Sequence, residues 1–74
     1  NAPRPILQGR HLIEIGLAPG QRFGGVLDKA FEAQLEGDFK DLAGAFRWLG
    51  ERGEFEFSED VKDGIRSRST GQSR

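Results

Sequence analysis

The residues of this chain that could perform acid–base or metal chemistry are few in kind. There is no cysteine and a single histidine, His11, among 74 residues, which excludes thiolate nucleophiles, disulfide staples and His-rich metal sites. His11 has no serine or cysteine nucleophile in an obvious partnership, so it reads as a surface or capping imidazole. Asp38 and Asp41 flank a helix start, where N-capping explains them better than paired catalysis. Glu54, Glu56, Glu59, Asp60 and Asp63 form an acidic stretch that reads as a solvated charged face, with cation binding as the lesser alternative. No Gly-x-Gly-x-x-Gly fingerprint, phosphate-binding Gly-Lys-Ser/Thr loop or nucleophile elbow occurs.

Anion binding is the chemistry that one spacing offers, though the residues taken alone favour a packing role for it. Residues 12–27 read as helix, glycine turn and helix start. Backbone N–H groups around Gly20, Gln21 and Arg22 lack intrahelical partners there, and such an end attracts phosphate. Arg22 stands beside it, Arg10 lies just upstream, and Lys29 and Arg47 are the weaker further contacts. The competing reading is a tight helical hairpin whose glycines serve packing. Eleven basic and twelve acidic residues give a net charge of −1, so no long-range field draws in nucleic acid and any contact must be local.

Four stretches must position these groups. Pro3 to Gln8 is an extended strap, because each proline biases its predecessor away from helix, and Ile6 and Leu7 pin it. Arg10 to Ile15 is a short helix closed by Gly16 at a left-handed C′ position, with Leu17 as its hydrophobic contact. Ala18-Pro19-Gly20 is a turn in which Gly20 accepts positive φ. Arg22 to Glu36 is the longest helix, with Phe23, Val26, Leu27, Ala30, Phe31 and Leu35 as its apolar stripe. Gly24 and Gly25 each cost that helix up to ~1 kcal/mol relative to Ala, an expense that close approach of another backbone would offset. Gly37 closes it. Leu42 to Glu51 is the third helix, with Asp38 or Asp41 as N-cap. Phe55 and Phe57 suit a short strand or docking onto the helices. The expected core is Leu12, Ile13, Leu17, Phe23, Leu27, Phe31, Leu35, Phe46 and Leu49.

The fold class is therefore all-α: a small bundle of about three helices with an extended N-terminal strap and a disordered C-terminal tail. Residues 1–57 form the helical domain. Residues 58–74 form a polar, flexible tail, lowest in complexity from Ser67 onward. Asn1-Ala2 reads as the scar of tag removal, with native sequence from Pro3. No run of 18 apolar residues exists to span a membrane.

The run Gly9-Arg10-His11-Leu12-Ile13-Glu14-Ile15-Gly16-Leu17-Ala18-Pro19-Gly20-Gln21-Arg22-Phe23-Gly24-Gly25-Val26-Leu27, followed by Gln34-Leu35-Glu36-Gly37 and Arg47-Trp48-Leu49, resembles the C-terminal part of bacterial tRNA nucleotidyltransferases and related poly(A) polymerases. The likeness covers roughly residues 5–50. His11 stands where the family often has Asp, and Gln21 where it often has Pro or Trp, which puts one capping bond and one contact in question. The family's Gly-Ser motif and paired metal-holding aspartates are not in this sequence. The resemblance implies a non-catalytic, cytoplasmic tail domain that binds or positions tRNA or other RNA, or braces the neighbouring domain of the same chain. It implies no cofactor in these residues, Mg²⁺ and nucleoside triphosphate belonging to a catalytic head. The RNA-phosphate contacts on this reading are Arg10, Gly20, Gln21, Arg22, Lys29 and Arg47. Two alternatives stand beside it: a helix-hairpin-helix-like module binding nucleic acid without sequence choice, and a protein-interaction domain anchored by Phe39, Trp48 or Phe55.

Overall fold

The computed structural model describes residues 2–70, and every regular element among them is helical. The order is α1 (Gly9–Glu14), α2 (Gln21–Leu35), α3 (Leu42–Gly50), a 3₁₀ turn (Gly53–Phe55) and α4 (Glu59–Arg68).

Local chemistry sets the boundaries of α1 to α3. At the start of α1 the Gln8 N–H donates to His11 Nδ1 at 2.9 Å, so an imidazole makes the capping bond that a carboxylate would make there. At its end Gly16 takes φ 97°. Gly16 N–H donates to the Ile13 carbonyl and Leu17 N–H to that of Leu12, the paired bonds of a Schellman closure. Gly37, at φ 88°, closes α2 in the same way through Gln34 and Ala33. Asp41, not Asp38, caps α3, its carboxylate accepting from Gly44 N–H at 2.7 Å.

The strap is fastened by one side chain. Gln34 Oε1 accepts from Ile6 N–H at 2.8 Å, and Gln34 Nε2 donates to the Arg4 carbonyl at 2.7 Å. Leu7 is buried beneath it.

The C-terminal stretch departs from expectation. Residues 59–68 are not a disordered tail but α4, which packs most extensively against α3. Ser58 caps it by accepting from Val61 N–H, Glu59 and Asp60 occupy its first turn, and Arg66 and Arg68 its last. This charge order suits the helix dipole. Val61 and Ile65, one turn apart, are its buried face. Gly64 lets it lie on the end of α1: a Cβ there would stand 3.0–3.2 Å from the Cβ, carbonyl oxygen and Cα of Ile15. Asn1 and residues 71–74, the rest of the expected scar and tail, lie outside the described residues.

The core also differs in part. Leu12, Leu17, Phe46 and Leu49 are buried as expected, and Phe23 and Leu27 pack half-buried against them. Ile13 and Leu35 are 53% and 56% exposed, and Phe31 is only partly buried and outside the packed set. For Phe31 and Leu35 the cause is the phase of α2. Its apolar stripe is broader than one contact face, and the helix buries Val26, Ala30 and Ala33, whose small or short side chains permit close packing. Trp48, Phe39 and Phe57 supply the missing bulk. Phe55 and Phe57 form no strand; they dock, in a chain of ring contacts running Phe39–Trp48–Phe55–Phe57 with centroids 5.5–6.2 Å apart. Phe39 and Trp48 are thus core residues, not exposed anchors.

Candidate phosphate-binding surface

Gly20, Gln21 and Arg22 meet at the start of α2, and all three are exposed. Gly20 is the N-cap, with no side chain capping the first turn. Its φ of 164° is extended backbone open to any residue, so the left-handed conformation expected at Gly20 is not adopted. Arg22 is not free to swing. It donates to the Phe55 carbonyl, and its guanidinium carbon lies 5.1 Å from the centre of the Phe57 ring. That geometry gives Arg22 a cation–π contact and the role of a clasp holding the 53–57 segment to α2.

Lys29 joins Arg22 along a shallow groove of about 180 Å³ floored by Gly25, Val26 and Phe55, but Glu54 lines the same groove. Arg10 lines neither this groove nor any cleft with Arg47; its guanidinium donates to Gln8 Oε1 at 2.7 Å. The six expected contacts therefore do not form one surface. Gly20, Gln21 and Arg22 cluster, Lys29 adjoins Arg22, and Arg10 and Arg47 stand apart.

Arg47 has different company. With Lys62, Arg66 and Ser69 it lines a cleft of about 160 Å³ over Gly50, Phe57 and Ile65, with three cations and no carboxylate in the lining. Arg47 donates to the Ser69 carbonyl at 2.7 Å. Lys62 and Arg66 pair with Glu59 and Asp63, each three residues earlier on α4, and every partner is at least half exposed. Exposed pairs of this kind contribute only ~0–1 kcal/mol, so a phosphate could displace either carboxylate. Sequence reading missed Lys62 and Arg66 because the whole stretch was assigned to a tail. The signal was their one-turn spacing behind a Ser58 cap.

A hollow of about 530 Å³ runs beside Phe39 and Trp48. Lys40, Arg47 and Arg52 are matched in its lining by Asp38, Asp41 and Glu51, so its field largely cancels. Arg52 lies over the Trp48 ring at 5.5 Å, and its Nε is buried without a partner.

His11 is buried and stands edge-on to Phe46, centroids 6.4 Å apart. Burial, then the neighbouring Arg10 charge, hold its pKa below the usual 6.5, against an opposing pull from Glu14. With Nδ1 engaged by Gln8, it is a neutral structural cap and not a free base. Among the described residues no group of three or more His, Asp or Glu side chains stands where it could hold a metal ion. No protein-family model, curated protein or solved structure matches the chain. Among the described residues, no helix is long and apolar enough to cross a membrane.

Proposed function

We propose that this chain is the helical C-terminal domain of an RNA nucleotidyltransferase, of the tRNA CCA-adding or poly(A) polymerase kind, and that it holds RNA by its phosphates without a catalytic site of its own. The ordered motifs from Gly9 to Leu49 support the family. The observation that supports RNA binding is the cleft of Arg47, Lys62 and Arg66, which has three cations and no acid in its lining, the carboxylates of Glu59 and Asp63 pairing with Lys62 and Arg66 from outside it. Three guanidinium or ammonium groups over an apolar floor suit backbone phosphates and carry no base readout. Recognition of this kind fits the shape of a folded RNA, where few bases are accessible. The start of α2 adds the exposed Gly20 and Gln21 amides. The helix-hairpin-helix alternative is less well supported, because the arginine at its turn is clasped to Phe55 and Phe57.

The test is a titration of tRNA against this chain at several salt concentrations. Wild type should bind weakly, with a log–log salt slope of about 2–3, since each neutralised phosphate contributes roughly 0.7–0.9. Changing Arg47, Lys62 and Arg66 together to Gln should flatten the slope to near zero, and urea unfolding of the same variant should show it folded. An unchanged slope in the folded triple variant would refute the assignment of the cleft.

A further inference from the structure

Three features of α2 are each costly to the domain alone, and all lie on one outward side. Phe31 and Leu35 stand one turn apart, with Leu35 56% exposed and Phe31 partly exposed, and Leu27, one turn earlier, joins the row to the core. Gly24 continues that row one turn earlier and weakens the helix, yet nothing lies within 4 Å of where its Cβ would be; the expected backbone approach is not made within the chain. Along one edge of the row run Asp28, Glu32 and Glu36, all exposed. None of the three takes part in an ion pair among the described residues. Like charges one turn apart repel, and acids near a helix C-terminus oppose its dipole.

We propose that this face docks an amphipathic α-helix of a partner protein, one that carries an aliphatic stripe and a row of Lys or Arg along the edge meeting Asp28, Glu32 and Glu36. Each feature then has a use. The apolar row is covered, the acids gain opposite charges, and the missing Cβ of Gly24 lets the partner's backbone approach. The row from Gly24 to Leu35 spans about 16 Å of helix axis, matching three turns of a partner laid along it. A second copy of this chain is the poorer occupant. An isologous pair brings the same patch to itself, so acidic rows would face acidic rows. The inference does not depend on RNA binding, which is proposed for α3, α4 and the first residues of α2.

The probe is an 18-residue helical peptide with leucines at one-turn spacing and lysines along one edge, compared with a twin carrying glutamates on that edge. Amide shifts in the labelled chain and peptide anisotropy report binding. The lysine peptide should shift residues of α2, and the glutamate twin should bind at least about tenfold more weakly. Leu35→Glu, at an exposed position, should remove binding while leaving the fold intact. Gly24→Leu should weaken it, and Asp28→Lys with Glu32→Lys should reverse the preference between peptides. Equal affinity of the two peptides, no binding by either, or shifts confined to other helices would overturn the proposal. Sedimentation showing a dimer that Leu35→Glu dissolves would replace the partner helix with a second copy.

Discussion

Replacing Gly24 and Gly64 by alanine, one at a time, should move stability in opposite directions, although both lie inside helices. Alanine gains about 0.8–1 kcal/mol over glycine in a helix interior. At Gly24 nothing opposes that gain, because the new Cβ meets no atom within 4 Å. The stabilisation should be close to ~1 kcal/mol, and a domain of this size converts each kcal/mol into roughly 4–8 °C of Tm. Gly25 is equally open, and the double variant should approach twice the effect. At Gly64 the new Cβ would stand 3.0 Å from Ile15 Cβ, 3.1 Å from its carbonyl oxygen and 3.2 Å from its Cα. Two of those atoms are backbone and cannot swing aside. Overpacking of this kind costs ~1–3 kcal/mol, so the propensity gain is cancelled and the net change runs from nothing to a loss of about 2 kcal/mol. Urea and thermal unfolding followed by helical circular dichroism would measure all three variants. A Gly64→Ala chain stabilised as much as Gly24→Ala would show that α4 does not rest on the end of α1. A Gly24→Ala chain that lost stability would show that α2 is already approached there.

Phe46→Ala should cost ~3–5 kcal/mol as a buried large-to-small change, since Phe46 is 1% exposed; Phe31→Ala should cost under about 1 kcal/mol, and the two unfolding midpoints decide whether the phase of α2 is right. Ending the chain at Phe57 removes α4 with Val61 and Ile65, and such a chain should show no cooperative unfolding transition. Stability should also fall in acid. Folded His11 resists the proton, so above pH 6.5 both states are neutral and nothing is lost, while below it the unfolded chain takes up a proton that the folded chain refuses. Unfolding midpoints measured from pH 7.5 down to 5 should decline, and His11→Gln should remove part of that slope; a slope identical in the variant would show that His11 titrates normally in the fold.

The parts of the fold legible in the sequence are those decided within a turn or two of chain. Gly16 with Leu17, Gly37 and Asp41 were readable because capping is local: a residue type with a special conformation or a short acceptor stands beside the groups that need it. The phase of α2 was not, because an apolar arc running from Ala33 round to Leu35 offers several burial faces, and the choice falls to α1 and α3. Helix α4 was hidden by composition. It carries only two buried apolar residues, and its helicity follows from burying Val61 and Ile65 in a site built by distant residues, although Ser58 and the charge order around it marked the ends. The candidate site suffered from the same omission. Arg47 was found, but its neighbours Lys62 and Arg66 become neighbours only once α4 is folded against α3.

The contact between Gly64 and Ile15 has a consequence for synthesis. α1 is made before α2 and α3, but its C-terminal turn is covered by α4, which follows both, and Arg68 donates to the Glu14 carbonyl across 54 positions of sequence. Such closure must wait for α4 and is slow relative to the local contacts within α1 to α3. A nascent chain therefore passes through an interval in which Ile15 and Gly50 lack the cover that Gly64 and Ile65 later give them. Until residue 65 clears the ribosome, the surface that later becomes the core's last wall is open to chaperones and to other nascent chains.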